Sequence, residues 1–322
     1  MKHFVKIISL TLCAAALLSL PAMAKEDGLL ISPAPAIESL APVRAWGKVT
    51  KLESGSLLLK NSNENDPLSE VIVHLPEGVP CVDAVTGLPM DMGKVKDGDT
   101  LYAWVGNAMT MSLPPQTSAL IVVGNIPADY RVPEFYEVTG AAIYPAPGGT
   151  EFRLPVAGGE SLTLSASTQY TPWLTRQIVT ADDLVPGRQI LVWKDKDGKA
   201  EKVLVLPYGY RGYYTVNEKG EVTVNGEKLS VNARLSGPGL LPLRTVAEAV
   251  NYDVAWVKGQ GATVKEGGKV LFSVLPGGET AVRPGNEDGD WELAAPCVVE
   301  NGITYLAASD LSLLLNLYFY NT

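Results

Sequence analysis

Along most of the chain, apolar positions recur at every second residue in short runs, and Gly, Pro, Asn or Asp breaks each run. VRAWGKVTKLE, SLLLKN, EVIVHLP, DTLYAWVG and SALIVVGN follow one another from Val43 to Asn125. Alternation places every second side chain on the same face of an extended chain. The runs therefore predict short, half-buried β-strands joined by turns. The polar stretch SNENDPLSE predicts the exposed connection of a hairpin.

From Phe135 to Pro207 the plan repeats. EVTGAAIYP parallels RAWGKVTKL, and SLTLSAS parallels EVIVHLP. DDLVPGRQILVWKD parallels GKVKDGDTLYAWVG, which sets Gly98 against Gly187 and Trp104 against Trp193. KVLVLPY parallels SALIVVGN. The shared order of strand, turn glycine and tryptophan predicts two copies of one small OB-like β-barrel. Their expected bounds are 43–126 and 135–207, with the proline-bearing residues 127–134 as linker.

From Tyr213 the pattern changes. GEVTVNGEKLSV carries Asn225-Gly226, a strong hairpin-turn signal. After Pro242, residues Val246, Ala249 and Val250 fall at helical spacing, and Asn251 stands where a left-handed helix cap is expected. YDVAW then predicts a strand. The pattern returns 65 residues later, with Gly302, Leu306, Leu311, Leu315 and Asn316 at the places of Gly237, Leu241, Val246, Val250 and Asn251. Each copy predicts a strand, a short helix and a strand.

LLPLRTVAEAVNYDVAW, residues 240–256, resembles the repeated core of the copper amine oxidase N-terminal, or stalk, domain. The resemblance rests on Pro242, Leu243, Arg244, Val246, Ala247, Glu248, Ala249, Val250 and Trp256. It covers about residues 213–322, and departs at Asn251 and in the second copy, where Ala307, Ala308 and Ser309 replace Pro-Leu-Arg. It implies a small antiparallel sheet around a short helix, internally repeated, with no oxidase catalytic domain. TMSLPPQTSALIV in the first barrel also resembles segments of secreted Firmicute proteins. The fold expected for the whole chain is mainly β with minor α: two OB-like barrels, then a stalk-type α+β domain.

The beginning of the chain carries its own signal. Lys2 and Lys6 precede or flank an apolar run from Ile7 to Leu20, and AMA ends at Ala24. This predicts a secretory signal peptide over 1–24 and an extended Pro/Ala-rich segment over 25–42. The expected location is secreted or extracytoplasmic, in association with a cell envelope. No later stretch is long and apolar enough for a transmembrane helix. The 26 Lys and Arg against 35 Asp and Glu give a formal net charge of −9, or −11 once Lys2 and Lys6 are gone. An acidic chain disfavours nucleic-acid partners, because nothing offsets phosphate repulsion.

Candidate chemistry is sparse. Beyond position 24 one histidine remains, His74. Copper oxidase chemistry and a two-histidine zinc site both need more imidazoles, so neither is expected, although Asn251-Tyr252-Asp253 spells a quinone-type triplet. The second copy places Leu317 where Tyr252 stands, so an apolar, buried ring is expected there. Asp97, Asp99, Asp182 and Asp183 are turn residues rather than paired catalytic acids. DKDG at 195–198 and NEDGD at 286–290 lack EF-hand spacing and read as hairpin turns. Cys81 and Cys297 are expected as buried thiols, with a disulfide as the alternative.

No catalytic residue and no cofactor are expected. Two binding alternatives stay open. Met90, Met92, Met109 and Met111 could offer thioethers to Cu(I), with His74 as a further ligand. Tyr208, Tyr210, Arg211, Tyr213 and Tyr214 in YGYRGYY could stack on sugar rings or a partner, or pack a domain interface. Arg244 and Glu248, four apart, predict an ion pair along the helix. The function these readings favour is non-catalytic, structural or adhesive, through envelope proteins or cell-wall polysaccharide.

Overall fold

The computed structural model describes residues 41–320 except 64, 130, 145–148, 238 and 287–288. The expected signal peptide, nearly all of the extended segment, and part of NEDGD lie outside the described residues. The chain is mainly β, with two short α-helices among the described residues.

The first barrel is built from β1 (Val43–Lys51), β2 (Leu57–Lys60), β3 (Glu70–His74), β4 (Cys81–Asp83), β5 (Thr100–Val105) and β6 (Gln116–Gly124). Strands pair in the order β3-β2-β1-β5-β6, and β6 closes the ring by running parallel to β3. This five-stranded closure is the OB-type connectivity. β4 adds a short parallel rung to the far half of β6. Inward positions alternate along each strand, so Ala45, Val49, Leu57, Leu59, Val71, Val73, Leu101, Ala103 and Val122 fill the interior.

The second barrel repeats the order with β7 (Glu134–Glu137), β8 (Glu151–Val156), β9 (Glu160–Ser165), β10 (Gln169–Pro172), β11 (Gln189–Lys194) and β12 (Ala200–Val205). β10, like β4, runs parallel to the last strand of its barrel. Bridges at Val138–Val156 and Ile143–Arg153 carry the β7 chain onto β8. Unlike β3 and β6, β9 and β12 share no described ladder, so this barrel stays open along one seam.

Backbone hydrogen bonds fix the correspondence. Gly98 and Gly187 both take positive φ, 89° and 82°, which favours glycine for want of a Cβ. Their N–H groups donate to Val49 O (2.8 Å) and Val138 O (2.7 Å). Val49 and Val138 donate in return to Asp99 O and Arg188 O, each at 2.9 Å. FYEVT therefore stands where WGKVT stands, which moves the sequence pairing of EVTGAAIYP with RAWGKVTKL by four positions. The two glycines that suggested the earlier pairing serve different ends. A Cβ on Gly47 would lie 2.4 Å from the Lys60 backbone, whereas Gly140 packs beneath Pro155 and Tyr320.

TLYAWV, ALIVVG, QILVW and KVLVL are nearly continuous apolar runs because these strands are covered on both faces. Their inward residues fill the barrels. Their outward residues, Tyr102, Trp104, Ile121 and Val123 from the first and Leu191, Trp193, Leu204 and Leu206 from the second, meet in one cluster with Phe135 and Trp173. The barrels are thus packed back to back. Trp104 and Phe135 approach to 6.4 Å between ring centroids, and Trp193 Nε1–H donates across the interface to Ala84 O at 2.7 Å.

The third domain begins with β13 (Gly212–Val216), β14 (Val222–Val224) and β15 (Glu227–Lys228). Asn225 and Gly226, at φ 50° and 84°, make the two-residue turn between the last two. Next come β16 (Leu240–Pro242), α1 (Leu243–Ala249) and the meander β17 (Asp253–Val257), β18 (Gly261–Glu266) and β19 (Lys269–Val274). The chain continues through β20 (Thr280–Ala281), β21 (Trp291–Glu292), β22 (Val298–Glu300), β23 (Ile303–Ala307), α2 (Ala308–Leu314) and β24 (Leu317–Phe319). Each seven-residue helix is followed by an asparagine in the left-handed region, Asn251 (φ 66°) and Asn316 (φ 53°). Such short helices have little stability of their own. Both are held by burial of Leu243, Val246, Val250, Leu311 and Leu315 in a single core.

Candidate functional site

The YGYRGYY segment lies where the second barrel meets the third domain, within one compact unit that contains all the described residues. None of its four tyrosines is exposed. Tyr214 is core: it is 2% exposed, lies against Phe319, and shares a hydrogen bond with Ser312 Oγ at 2.8 Å. Tyr208 donates its hydroxyl to Pro186 O (2.7 Å) and lies under the Arg188 guanidinium, 4.7 Å from its centroid. Burial pushes its phenol well above the usual range.

The remaining rings form contacts across the junction. Tyr208 meets Tyr210 edge-on at 6.0 Å, and Tyr210 meets Tyr318 of β24 at 5.2 Å. Tyr210 and Tyr318 both cover the backbone of Gly187, whose missing Cβ leaves room for them. Tyr213 meets Tyr320, whose hydroxyl accepts a hydrogen bond from Ala141 N–H at 3.3 Å. Tyr208, Tyr210 and Tyr213 are half-buried, with their rings against one another, against Tyr318 and Tyr320, and against the second barrel. Tyr318 and Tyr320 were missed. Their alternation in LYFY at the end of the chain was the available signal.

Arg211 binds the ends of both helices. Its Nε donates to Val250 O (3.0 Å) and its backbone N–H to Asn316 O (2.7 Å), while the guanidinium covers the Tyr252 ring at 4.5 Å and pairs with Glu266. Asn316 Nδ2 returns a bond to Gly209 O at 2.9 Å. Tyr252 itself is a core ring, 8% exposed. The linker is thus fastened to the helix C-termini, where free carbonyls favour donors and positive charge.

Met90, Met92 and Met109 all pack against the first barrel's core. Met90 lines a cleft of about 500 Å³ with Lys48, Asp99 and Asn125. Met109 lines a different cleft of about 460 Å³ with His74, Thr110 and Gln116. Met92 packs on the first barrel's core, and Met111 is fully exposed. His74 has both ring nitrogens engaged, Nδ1 with Ser56 Oγ (2.8 Å) and Nε2 with Gln116 Oε1 (3.1 Å). Ser56 is buried, and this trio holds the β3 end in place.

Several carboxylates close turns. Asp97 and Asp99 accept from Lys51 N–H (2.9 Å) and Lys96 N–H (2.8 Å). Thr180 and Asp183 form a reciprocal cap on one turn of 3₁₀-helix. Asp195 accepts from Asp197 N–H and Lys199 N–H, closing the DKDG hairpin. Asp310, missed in the sequence, is 2% exposed and accepts from Trp291 Nε1–H and Ala294 N–H. Arg244 pairs with Glu248 at 3.0 Å and also donates to Val254 O.

The two cysteines among the described residues are free; Cys297 is buried as expected, but Cys81 is only half-buried. Burial raises both thiols, Cys297 to about 11, which keeps them protonated near neutrality. Among the described residues, no group of three His, Cys, Asp or Glu side chains is placed to hold a metal ion, and no helix is long and apolar enough to cross a membrane. No protein-family model and no curated protein matches the chain.

Proposed function

We propose that this chain is an exported, non-catalytic structural protein of a bacterial cell envelope, in which two OB-type barrels and a stalk-type domain form one supporting body. One observation carries the reading: each unit gives its aromatic side chains to the next. Trp104, Phe135 and Trp193 join the barrels, and Tyr210, Tyr318 and Tyr320 join the second barrel to the third domain. Buried aromatic contacts between successive units favour a fixed spacing over independently moving binding modules. The polar side chains support it too, since Asp97, Asp183, Arg211, Arg244 and Asp310 all engage the chain's own backbone. The strand–helix–strand duplication supports the stalk-type assignment, and the first 24 residues support export.

The mature chain, beginning at Lys25, is expected to co-sediment with envelope protein or cell-wall polysaccharide. It is expected to turn over none of a panel of glycan, ester and peptide substrates. Hydrolysis of any of these, lost on a single Asp or Glu substitution, would overturn the reading.

A further inference from the structure

β5 and β6 are joined by GNAMTMSLPP, residues 106–115. At the same place in the second barrel, β11 and β12 are joined by DKDGK, residues 195–199. The second connection is short and charged, as an exposed turn ordinarily is. The first is longer and carries no charge. No Asp, Glu, Lys or Arg occurs anywhere between Asp99 and Asp129, although such residues make up 19% of the chain. At the tip, Met111 and Leu113 are 103% and 97% exposed, more than any other large apolar side chain among the described residues.

The polar groups of this loop are turned on one another. Thr110 N–H donates to Gln116 O at 3.0 Å, and Gln116 N–H donates to Thr110 Oγ1 at 2.9 Å. The Thr110 and Ser112 hydroxyls share a bond of 2.7 Å, and Ser112 Oγ donates to Pro114 O at 2.8 Å. Thr117 Oγ1 donates to Ala108 O at 3.1 Å. Pro114 and Pro115 have no N–H to satisfy.

We propose that residues 106–115 are a bilayer-insertion loop, which buries Met111 and Leu113 at the headgroup–acyl boundary of a zwitterionic lipid membrane. Low-dielectric surroundings penalise charges and unpaired polar groups, and this tip brings no charge and has its hydroxyls already paired. Side chains that project singly from a tip need an occupant that closes around them, which a fluid bilayer does without a preformed pocket. A protein partner is ordinarily met with a charged or polar rim that fixes register, and this segment offers no charge for one. The formal net charge of −9 opposes approach to anionic headgroups, so neutral ones are the surface within reach. Two side chains give a reversible hold rather than an anchor. The proposal rests on the exported, envelope reading for the membrane it meets, while the chemistry is the loop's own.

Flotation of the mature full-length chain with phosphatidylcholine vesicles, at millimolar lipid and low salt, tests the loop. The parent chain is expected to float. The double variant Met111→Ser, Leu113→Ser is expected to lose about a hundredfold in partitioning. Ile178→Ser, which changes an apolar side chain 90% exposed elsewhere, is expected to float like the parent. All three should unfold at the same denaturant midpoint, because the altered side chains are exposed. Replacing part of the lipid with phosphatidylglycerol is expected to weaken binding, and added salt to restore it. Absence of flotation in the parent chain, or equal flotation of the parent and the double variant, would overturn the proposal. So would stronger binding to the anionic vesicles. Tip-dependent binding to envelope membranes that is lost when those membranes are first treated with protease would also overturn it, and would make a protein the occupant. Pure lipid contains no envelope component and no substrate, so this proposal and the structural reading can fail separately.

Discussion

Leu241 pairs directly with Leu306, its own counterpart in the second copy of the strand–helix–strand unit. A residue can face its repeat equivalent in an antiparallel ladder only if a local two-fold axis passes between them. The two units therefore share one core around this pair, and both leucines are almost wholly buried. Leu241→Ala and Leu306→Ala are each expected to cost about 2–5 kcal/mol. Because the two side chains touch one relaxation site, the double variant should be non-additive. Urea denaturation of the four proteins measures both effects.

The two asparagine caps should respond differently to glycine. Both hold positive φ, where a Cβ costs roughly 1–2 kcal/mol. Asn251→Ala and Asn316→Ala are expected to lower stability. Asn251→Gly is expected to be neutral or stabilising, whereas Asn316→Gly also loses the bond from its side chain to Gly209 O. Thermal unfolding should rank Asn251→Gly above Asn316→Gly.

Asp310 is the buried carboxylate that ties the β21 segment to α2. Asp310→Leu leaves Trp291 Nε1–H and Ala294 N–H without their acceptor; both bonds are only part-buried, and the expected loss is about 1–3 kcal/mol in all. Asp310→Asn keeps an acceptor oxygen and should recover part of the loss. Equal stability of the Leu and Asn variants in denaturant would contradict this account.

Trp193→Phe removes the donor to Ala84 O while keeping an apolar ring between the barrels, and is expected to cost about 1 kcal/mol. The loss should register as weaker hydrogen-exchange protection on the outward faces of β5 and β11, with the third domain unchanged.

Glu134, Tyr136 and Lys194 form a half-buried network on one edge of the second barrel. Burial alone would raise the Glu134 carboxyl, but hydrogen bonds from Lys194 and Tyr136 hold it below the usual glutamate range. Burial and the neighbouring Glu134 push Tyr136 up to about 12. A lowered carboxyl contributes stability above its ordinary value and loses it as pH falls through the lowered one. Lys194→Met should therefore reduce stability at pH 7 more than at pH 2, which paired denaturation curves would show.

Much of the fold was legible in the sequence, for local reasons. Alternation marked the strands, Asn225-Gly226 marked a turn whose backbone needs positive φ, and the spacing of Gly98 from Trp104 and of Gly187 from Trp193 marked the repeat. Leu241 and Leu306 could be matched 65 residues apart because both copies spend the same positions on one core. These signals depend on a residue and its near neighbours. What the tyrosines do depends on surfaces far apart in the chain. YGYRGYY suits a sugar platform and a domain junction equally, since an amphipathic ring serves both. Only the tertiary structure put Tyr210 and Tyr318 together over Gly187 at the junction. In the same way, the repeat matched Trp104 with Trp193, but only the back-to-back packing of the two outward faces made them part of a third buried core.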